Sequence, residues 1–313
     1  MSTDAGQRLT PSTIALLIIP PLMWAGNAVV GRMMQGVVPP ITLNFLRWGL
    51  ALLILLPVAG WVLRPGSELW PHWKRFALLG LLGVGLYNAL QYMALKTSTP
   101  INVTLVSAAT PIWMLLLGRL FFGVRVSRQA AVGAALSLSG VATVLARGDI
   151  TQLLSVRLVP GDAWMLAASF IWATYSWLLA RPKPGAEPAA IKADWAAFLL
   201  AQMVFGLVWS GTMTTGEWLW LGSQPGETAS HITWGWPLAA ALVYVAVGPS
   251  LLAYRCWGAG VSRVGPTIAG FFSNLTPLFA AVMSATLLGE MPQLFHAAGF
   301  ALIVSGILVS TRR

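Results

Sequence analysis

Apolar runs of about 18–25 residues recur along nearly the whole chain, and they limit its fold more than any other feature. Ten are read, at residues 13–31, 40–62, 74–95, 100–121, 129–146, 161–180, 194–214, 237–256, 264–288 and 293–311. At about 1.5 Å rise per residue, a helix of that length matches the roughly 30 Å hydrocarbon core of a bilayer. The runs do not alternate apolar and polar residues, as the ~10-residue strands of a membrane β-barrel do. Only 9% of the 313 residues are charged, against roughly 25% in a soluble domain. The expectation is an all-α polytopic membrane protein in contact with a lipid bilayer.

Charge placement supports that count and sets an orientation. With the N-terminus in the cytoplasm, Arg32, Lys96, Arg147 and Arg157 fall on the far side and Arg47 inside a span. The rest of the 19 Lys and Arg lie on the cytoplasmic side, which is the positive-inside bias. A multi-pass protein of the inner (plasma) membrane, with both termini cytoplasmic, is expected. The first run follows MSTDAGQRLTPST without a cleavage-site pattern, so it is expected to stay as a span. The net charge of +10 is thus accounted for by topology, and no basic patch with stacking aromatics points to nucleic acid.

The chain repeats itself. At an offset of 166 residues, Pro100, Ser107, Thr110, Pro111, Gly123, Gly133 and Gly140 meet Pro266, Ser273, Thr276, Pro277, Gly289, Gly299 and Gly306. The expected division is a first repeat at 1–147, an external linker at 148–160 and a second repeat at 161–313. Each repeat holds five spans. Five is odd, so the second repeat enters the membrane from the opposite side, as in the inverted repeats of secondary transporters. The predicted architecture is ten transmembrane helices as two inverted five-helix repeats around a central cavity.

Residues in this order resemble the drug/metabolite transporter superfamily, in its ten-span EamA-type branch. The resemblance rests on Trp24-Ala25-Gly26-Asn27, on PITLNFLR from Pro40 to Arg47, on the TP…LG segments of the fourth and ninth spans, and on Leu287 to Glu290. The first repeat departs from it with Gly123-Val124-Arg125. The resemblance implies a helical bundle whose cavity opens alternately to either side and which exports metabolites or drugs.

Pro111 and Pro277 fall halfway along their runs. There each would free the carbonyl four residues earlier, that of Ser107 or Ser273. Ser107, Thr110, Ser273, Asn274 and Thr276 are suited to satisfy such a break. Two readings stand: a kink that only shapes packing, or a kink that lines a cavity near the bilayer midplane.

Other polar side chains sit within the runs. Arg47 lies roughly 8–10 Å in from the predicted outer end. It either holds an anionic substrate group or pairs with Glu290 and nearby carbonyls. Asn44 shares its face. Tyr87, Asn88, Gln91 and Tyr92 form one stripe at i, i+4 spacing, facing a cavity or another helix. Trp24 with Asn27, and Trp172 with Tyr175, are read as repeat counterparts. They serve as an aromatic wall or as packing. Gly133, Gly140, Gly299 and Gly306 mark the fifth and tenth spans as close-packed scaffold.

An enzyme is disfavoured. His72, His231 and His296 are not spaced as metal ligands, and Cys256 stands alone. Asp162, Asp194 and Glu290 lie at span ends, and the other acids are expected outside. No hydrolase, zinc-protease or P-loop motif occurs, and neither a cofactor nor a metal is expected. The reading is a carrier or facilitator of small-molecule metabolites such as amino acids, moving them outward. Glu290 is a possible coupling residue. The alternatives are a multidrug exporter and a membrane scaffold.

Overall fold

The computed structural model describes residues 9–98, 103, 106–146, 149, 151, 159–223, 231–288 and 294–311. Over these residues the apolar runs are mostly helical, with turns at Ala108–Ala109 and at Asn274, and no strand is present among the described residues. The N-terminal half holds α1 (Pro11–Met33), α2 (Pro40–Ala59, extended by a 3-10 turn to Leu63), α3 (Trp73–Gly80), α4 (Tyr87–Thr97), α5 (Thr110–Phe121) and α6 (Arg128–Leu145). The C-terminal half holds α7 (Pro160–Ala180), α8 (Ala189–Ala193), α9 (Trp195–Gly222), α10 (Trp236–Val245), α11 (Ala253–Ser273), α12 (Leu275–Leu288) and α13 (Leu294–Thr311).

Local sequence explains several helix starts. Thr10, Ser127 and Asp194 precede α1, α6 and α9, and each side chain accepts a backbone N–H of the first turn. That bond satisfies donors which otherwise have no partner inside the helix.

Among the described residues, seven helices, counted across their π and 3-10 segments, are long and apolar enough to cross a membrane. The sequence predicted ten spans. Three of the ten runs fall outside the seven: those of α5, with 12 residues, of α12, with 14, and of α6, with 18. Residues 236–273 form one long helical stretch bent at Gly265 (φ 80°, ψ 163°), a conformation that favours glycine. The structure thus divides the runs 237–256 and 264–288 differently from the sequence reading.

Both prolines also sit differently from expectation. Pro111 lies in the first turn of α5, after a turn at Ala108–Ala109. Pro277 lies in the first turn of α12, after a break at Asn274. They begin helices instead of kinking them. A first-turn residue has no intrahelical acceptor for its N–H, so proline costs nothing there.

Two π-helical segments carry no signal in the sequence. Leu81–Leu86 joins α3 to α4, and Ala246–Leu252 joins α10 to α11. Their last residues, Leu86 and Leu252, are related by the same 166-residue offset. A π turn disturbs the ordinary i→i−4 ladder and often marks a functional position. Here side chains bond to its carbonyls. Asn44 Nδ2 donates to Val84 O (2.9 Å) and Gly85 O (3.3 Å), and Tyr254 OH donates to Gly83 O. Trp24 Nε1 donates to Pro249 O (3.3 Å), and Ser250 Oγ, within the second segment, donates to Val245 O just before it (2.7 Å).

The α6–α13 pair packs glycine on backbone. A Cβ on Gly133 would stand 2.6 Å from Gly306 O, and one on Gly140 would stand 2.7 Å from Gly299 O. The 166-residue offset turns the first contact into the second. Large apolar side chains, among them Leu53, Val58, Phe121, Leu219 and Leu308, point outward. Polar side chains such as Asn27, Asn44, Arg47 and Asn88 are buried. This inside-polar, outside-apolar arrangement suits a lipid surround.

Candidate functional site

Arg47 stands at the centre of the bundle, on α2, with 0% exposure. It is far better enclosed than a residue snorkelling to the membrane surface. Its Nη1 donates to Asn27 Oδ1 (3.1 Å), Asn88 Oδ1 (3.0 Å) and Tyr92 OH (2.8 Å). Its Nε and Nη2 both donate to Ser250 Oγ, at 2.9 and 2.7 Å. The hydroxyl of Tyr92 donates in turn to Asn27 Oδ1 (2.7 Å), and Asn27 Nδ2 donates to Gln91 Oε1 (3.1 Å). Asn88 Nδ2 reaches Tyr254 OH at 3.4 Å. The rings of Trp48 and Tyr92 lie 5.4 and 5.9 Å from the guanidinium carbon, within cation–π range.

Every one of these partners is neutral. Among the described residues, the ion pairs are Arg75–Glu187 and Lys192–Glu187, and no carboxylate pairs with Arg47. Burying a cation with dipoles alone is costly, and a carboxylate beside it would offset that cost. Glu290, the expected alternative partner, lies outside the described residues.

An aromatic cluster adjoins this cation. Trp172 is its hub, with ring centroids of Tyr87, Trp24, Tyr175, Tyr254 and Trp257 at 4.7, 5.1, 5.1, 5.4 and 5.4 Å. Trp24 and Trp172, read as repeat counterparts, touch edge to face. Such pairs contribute about 0.5–1.5 kcal/mol each beyond area burial. The Nε1 of Trp172 is buried with no acceptor. Tyr175 OH donates to Gln202 Oε1 (3.0 Å).

The other residues that the sequence singles out lie elsewhere. Asn44 serves the π segment, with a further bond from Nδ2 to Ser210 Oγ (3.2 Å). Thr110 Oγ1 donates to Ser107 O (2.6 Å), closing the first break locally. Ser273 Oγ donates to Gly270 O (2.6 Å). Asn274 is fully buried, and neither its Oδ1 nor its Nδ2 has a partner. Thr276 is half-buried in the first turn of α12.

Two cavities approach the cluster from opposite ends of the bundle. One, of about 420 Å³, is lined by Met34, Leu43, Tyr92, Lys96, Glu217 and Trp220, with others. The second, of about 350 Å³, is lined by Tyr175, Lys192, Trp195, Gln202, Tyr254 and Arg255, with others. Gln202 and Glu217 lie on the same helix, α9, roughly 22 Å apart along its axis at ~1.5 Å per residue.

Sequence reasoning missed Ser250, Tyr254, Trp257 and Glu217. Ser250 and Tyr254 follow Pro249, whose place in an apolar run is visible. Tyr254 is also the 166-residue counterpart of Asn88. The sequence reading puts Glu217 outside the spans, because the seventh apolar run ends at 214. It lies within α9, which continues to Gly222, and is mostly buried. Glu217 Oε1 accepts from Ile41 N (3.0 Å), and Oε2 accepts from Thr42 N and Thr42 Oγ1 (2.8 Å each). The carboxylate thereby caps the start of α2, where bare N–H groups favour negative charge. Among the described residues no group of three or more His, Cys, Asp or Glu is placed to hold a metal.

A family model for EamA-like transporters matches residues 11–146 and again residues 159–312. The chain belongs to the EamA-like transporter family. As a member it is a multi-pass membrane transporter, and the two matches place one family domain in each half. It is 27% identical to a probable amino-acid metabolite efflux pump of Salmonella typhimurium, over 95% of this chain and 93% of that one. It is 25% identical to an aromatic amino acid exporter of Ancylobacter novellus, over 93% of each chain. A solved structure matches with a TM-score of 0.68 at 21% identity, covering 95% of this chain and 96% of that chain. The last likeness concerns the fold of this EamA-like transporter, and the names of the relatives indicate a transporter instead of an enzyme.

Proposed function

We propose that this transporter is a secondary carrier that exports small carboxylate-bearing metabolites, amino acids first among them. It works by alternating access between two inverted five-helix halves, in the inner membrane, with both termini cytoplasmic. The observation that carries the substrate class is the buried Arg47 guanidinium, surrounded by neutral acceptors and bordered by aromatic rings. A carboxylate fits the cation by charge, and a fork geometry makes Arg well suited to it. Asn27, Asn88 and Gln91 offer hydrogen bonds to a polar head, while Trp24, Tyr87, Trp172 and Tyr175 offer an apolar wall.

The offset-related contacts of Gly133 with Gly306 and of Gly140 with Gly299 support a two-fold relation between the halves. The charge distribution supports the orientation, and the names of the two relatives support amino acids and the outward direction. Lipophilic cations suit the cluster poorly, because among the described residues no carboxylate reaches it. For the same reason facilitated exchange is preferred to proton coupling. Coupling through Glu290 would require that Glu290→Gln abolish the dependence of flux on a pH gradient.

The test is metabolite efflux. Bacteria expressing the parent protein or Arg47→Ala, at matched membrane abundance, are compared by mass spectrometry of the medium. Accumulation of amino acids with the parent alone supports the reading. Equal accumulation with both makes Arg47 structural, and no accumulation with either removes amino-acid export.

A further inference from the structure

We propose that Tyr92 and Tyr254 are the two gates of the Arg47 site, one for each cavity, and that substrate on Arg47 competes with the latch of Tyr92. This rests on the carrier reading above and adds the residues that separate the site from either side. Among the described residues, Tyr92 is the one lining the larger cavity that is also hydrogen-bonded to Arg47. Tyr254 is, among them, the one lining the smaller cavity that is hydrogen-bonded to an Arg47 partner, Asn88. Both are nearly enclosed, so each forms the floor of its own cavity and the wall of the shared centre.

Each hydroxyl is held twice. Tyr92 OH accepts from Arg47 Nη1 and donates to Asn27 Oδ1. Tyr254 OH accepts from Asn88 Nδ2 and donates to Gly83 O in the first π segment. The Tyr92 ring lies against α1 where Gly31 gives it room: a Cβ there would stand 2.8 Å from Tyr92 Cε1. The Tyr254 ring sits between Trp48 at 4.9 Å and Trp172 at 5.4 Å.

Nη1 has two hydrogens and three acceptors within reach, Asn27, Asn88 and Tyr92. A substrate carboxylate arriving at Nη1 displaces one or more of them. Losing the Arg47 bond frees Tyr92 to swing toward the larger cavity. Losing the Asn88 bond weakens the hold on Tyr254 through its Nδ2. The empty carrier is therefore closed at both tyrosines, and occupancy of Arg47 loosens the hold on each so that one or the other opens.

The experiment is sided labelling of Ser250→Cys, which places a thiol against Arg47, in a Cys256→Ala background. The probe is a small, membrane-impermeant, anionic methanethiosulfonate applied to right-side-out and to inverted vesicles. Trp234→Cys and Lys183→Cys, each exposed near one cavity, report which face is which. Tyr92→Ala is expected to speed labelling at least tenfold from the Trp234 face alone, and Tyr254→Ala from the Lys183 face alone. Tyr92→Phe and Tyr254→Phe keep the rings, and are expected to give smaller increases on the same faces. They carry the test if either alanine variant fails to reach the membrane.

Increases on both faces alike, increases on the reversed faces, or no increase in any variant would overturn the assignment. Labelling needs no substrate, so it is read separately from flux. A sided pattern in a protein that exports nothing keeps the gates and removes the carrier reading. An unsided pattern in an active exporter does the reverse.

Discussion

Asn88 and Tyr254, which stand 166 positions apart, are hydrogen-bonded to each other, Nδ2 to OH at 3.4 Å. Asn44 and Ser210 are separated by the same interval and bonded likewise, at 3.2 Å. Positions matched by the internal repeat thus meet where the two halves touch. Arg47 hangs from this seam on α2, and its partner Ser250 comes from the opposite half.

The seam at Glu217 gives a first prediction. Glu217→Ala leaves the N–H groups of Ile41 and Thr42 without their acceptor. A loss of about 1–3 kcal/mol is expected from such unsatisfied buried donors, read as a lower thermal midpoint of the detergent-solubilised protein. Glu217→Gln, which keeps one acceptor oxygen, should lose less.

The glycine contact gives a second. Gly140→Leu places a side chain where even a Cβ would meet Gly299 O at 2.7 Å and Ile303 Cγ1 at 2.8 Å. Overpacking of this kind costs typically about 1–3 kcal/mol and sometimes more. The midpoint should fall while the substrate preference of the surviving protein stays the same. A changed preference would give α6 and α13 a role beyond scaffold.

Trp172 gives a third. Its Nε1 has no acceptor, so Trp172→Phe removes a donor that nothing in the resting protein uses. Stability should change by less than the ~3–5 kcal/mol that Trp→Ala costs in a core. The KM for export should rise about tenfold, or ~1.4 kcal/mol of binding, if substrate is what takes that hydrogen. An unchanged KM would leave Trp172 as packing alone.

Much of the fold is legible in the chain because each signal is a pattern over many residues. Apolar length places the helices, and the Ser-x-x-Thr-Pro repeat exposes the duplication. Single residues tell less. Arg47, Asn27, Asn88 and Gln91 each stand out as polar groups in apolar runs, and the bundle does bring them together. The π segments are invisible, since a turn of i→i+5 bonds has the same composition as its neighbours. Pro111 and Pro277 read as kinks because a sequence shows that a helix breaks and not on which side of the proline. Glu217 is misplaced by the sequence because its helix runs eight residues beyond the apolar run that announces it.

The central claim is that Arg47 holds a substrate carboxylate. The direct measurement is uptake into proteoliposomes preloaded with the proteinogenic amino acids, with amino acids and their carboxamides as competitors. With the parent protein, the acids should compete at least about tenfold better than the amides, equivalent to ~1.4 kcal/mol, and in Arg47→Gln that difference should collapse. Equal competition with the parent, or an undiminished difference in Arg47→Gln, would contradict the claim.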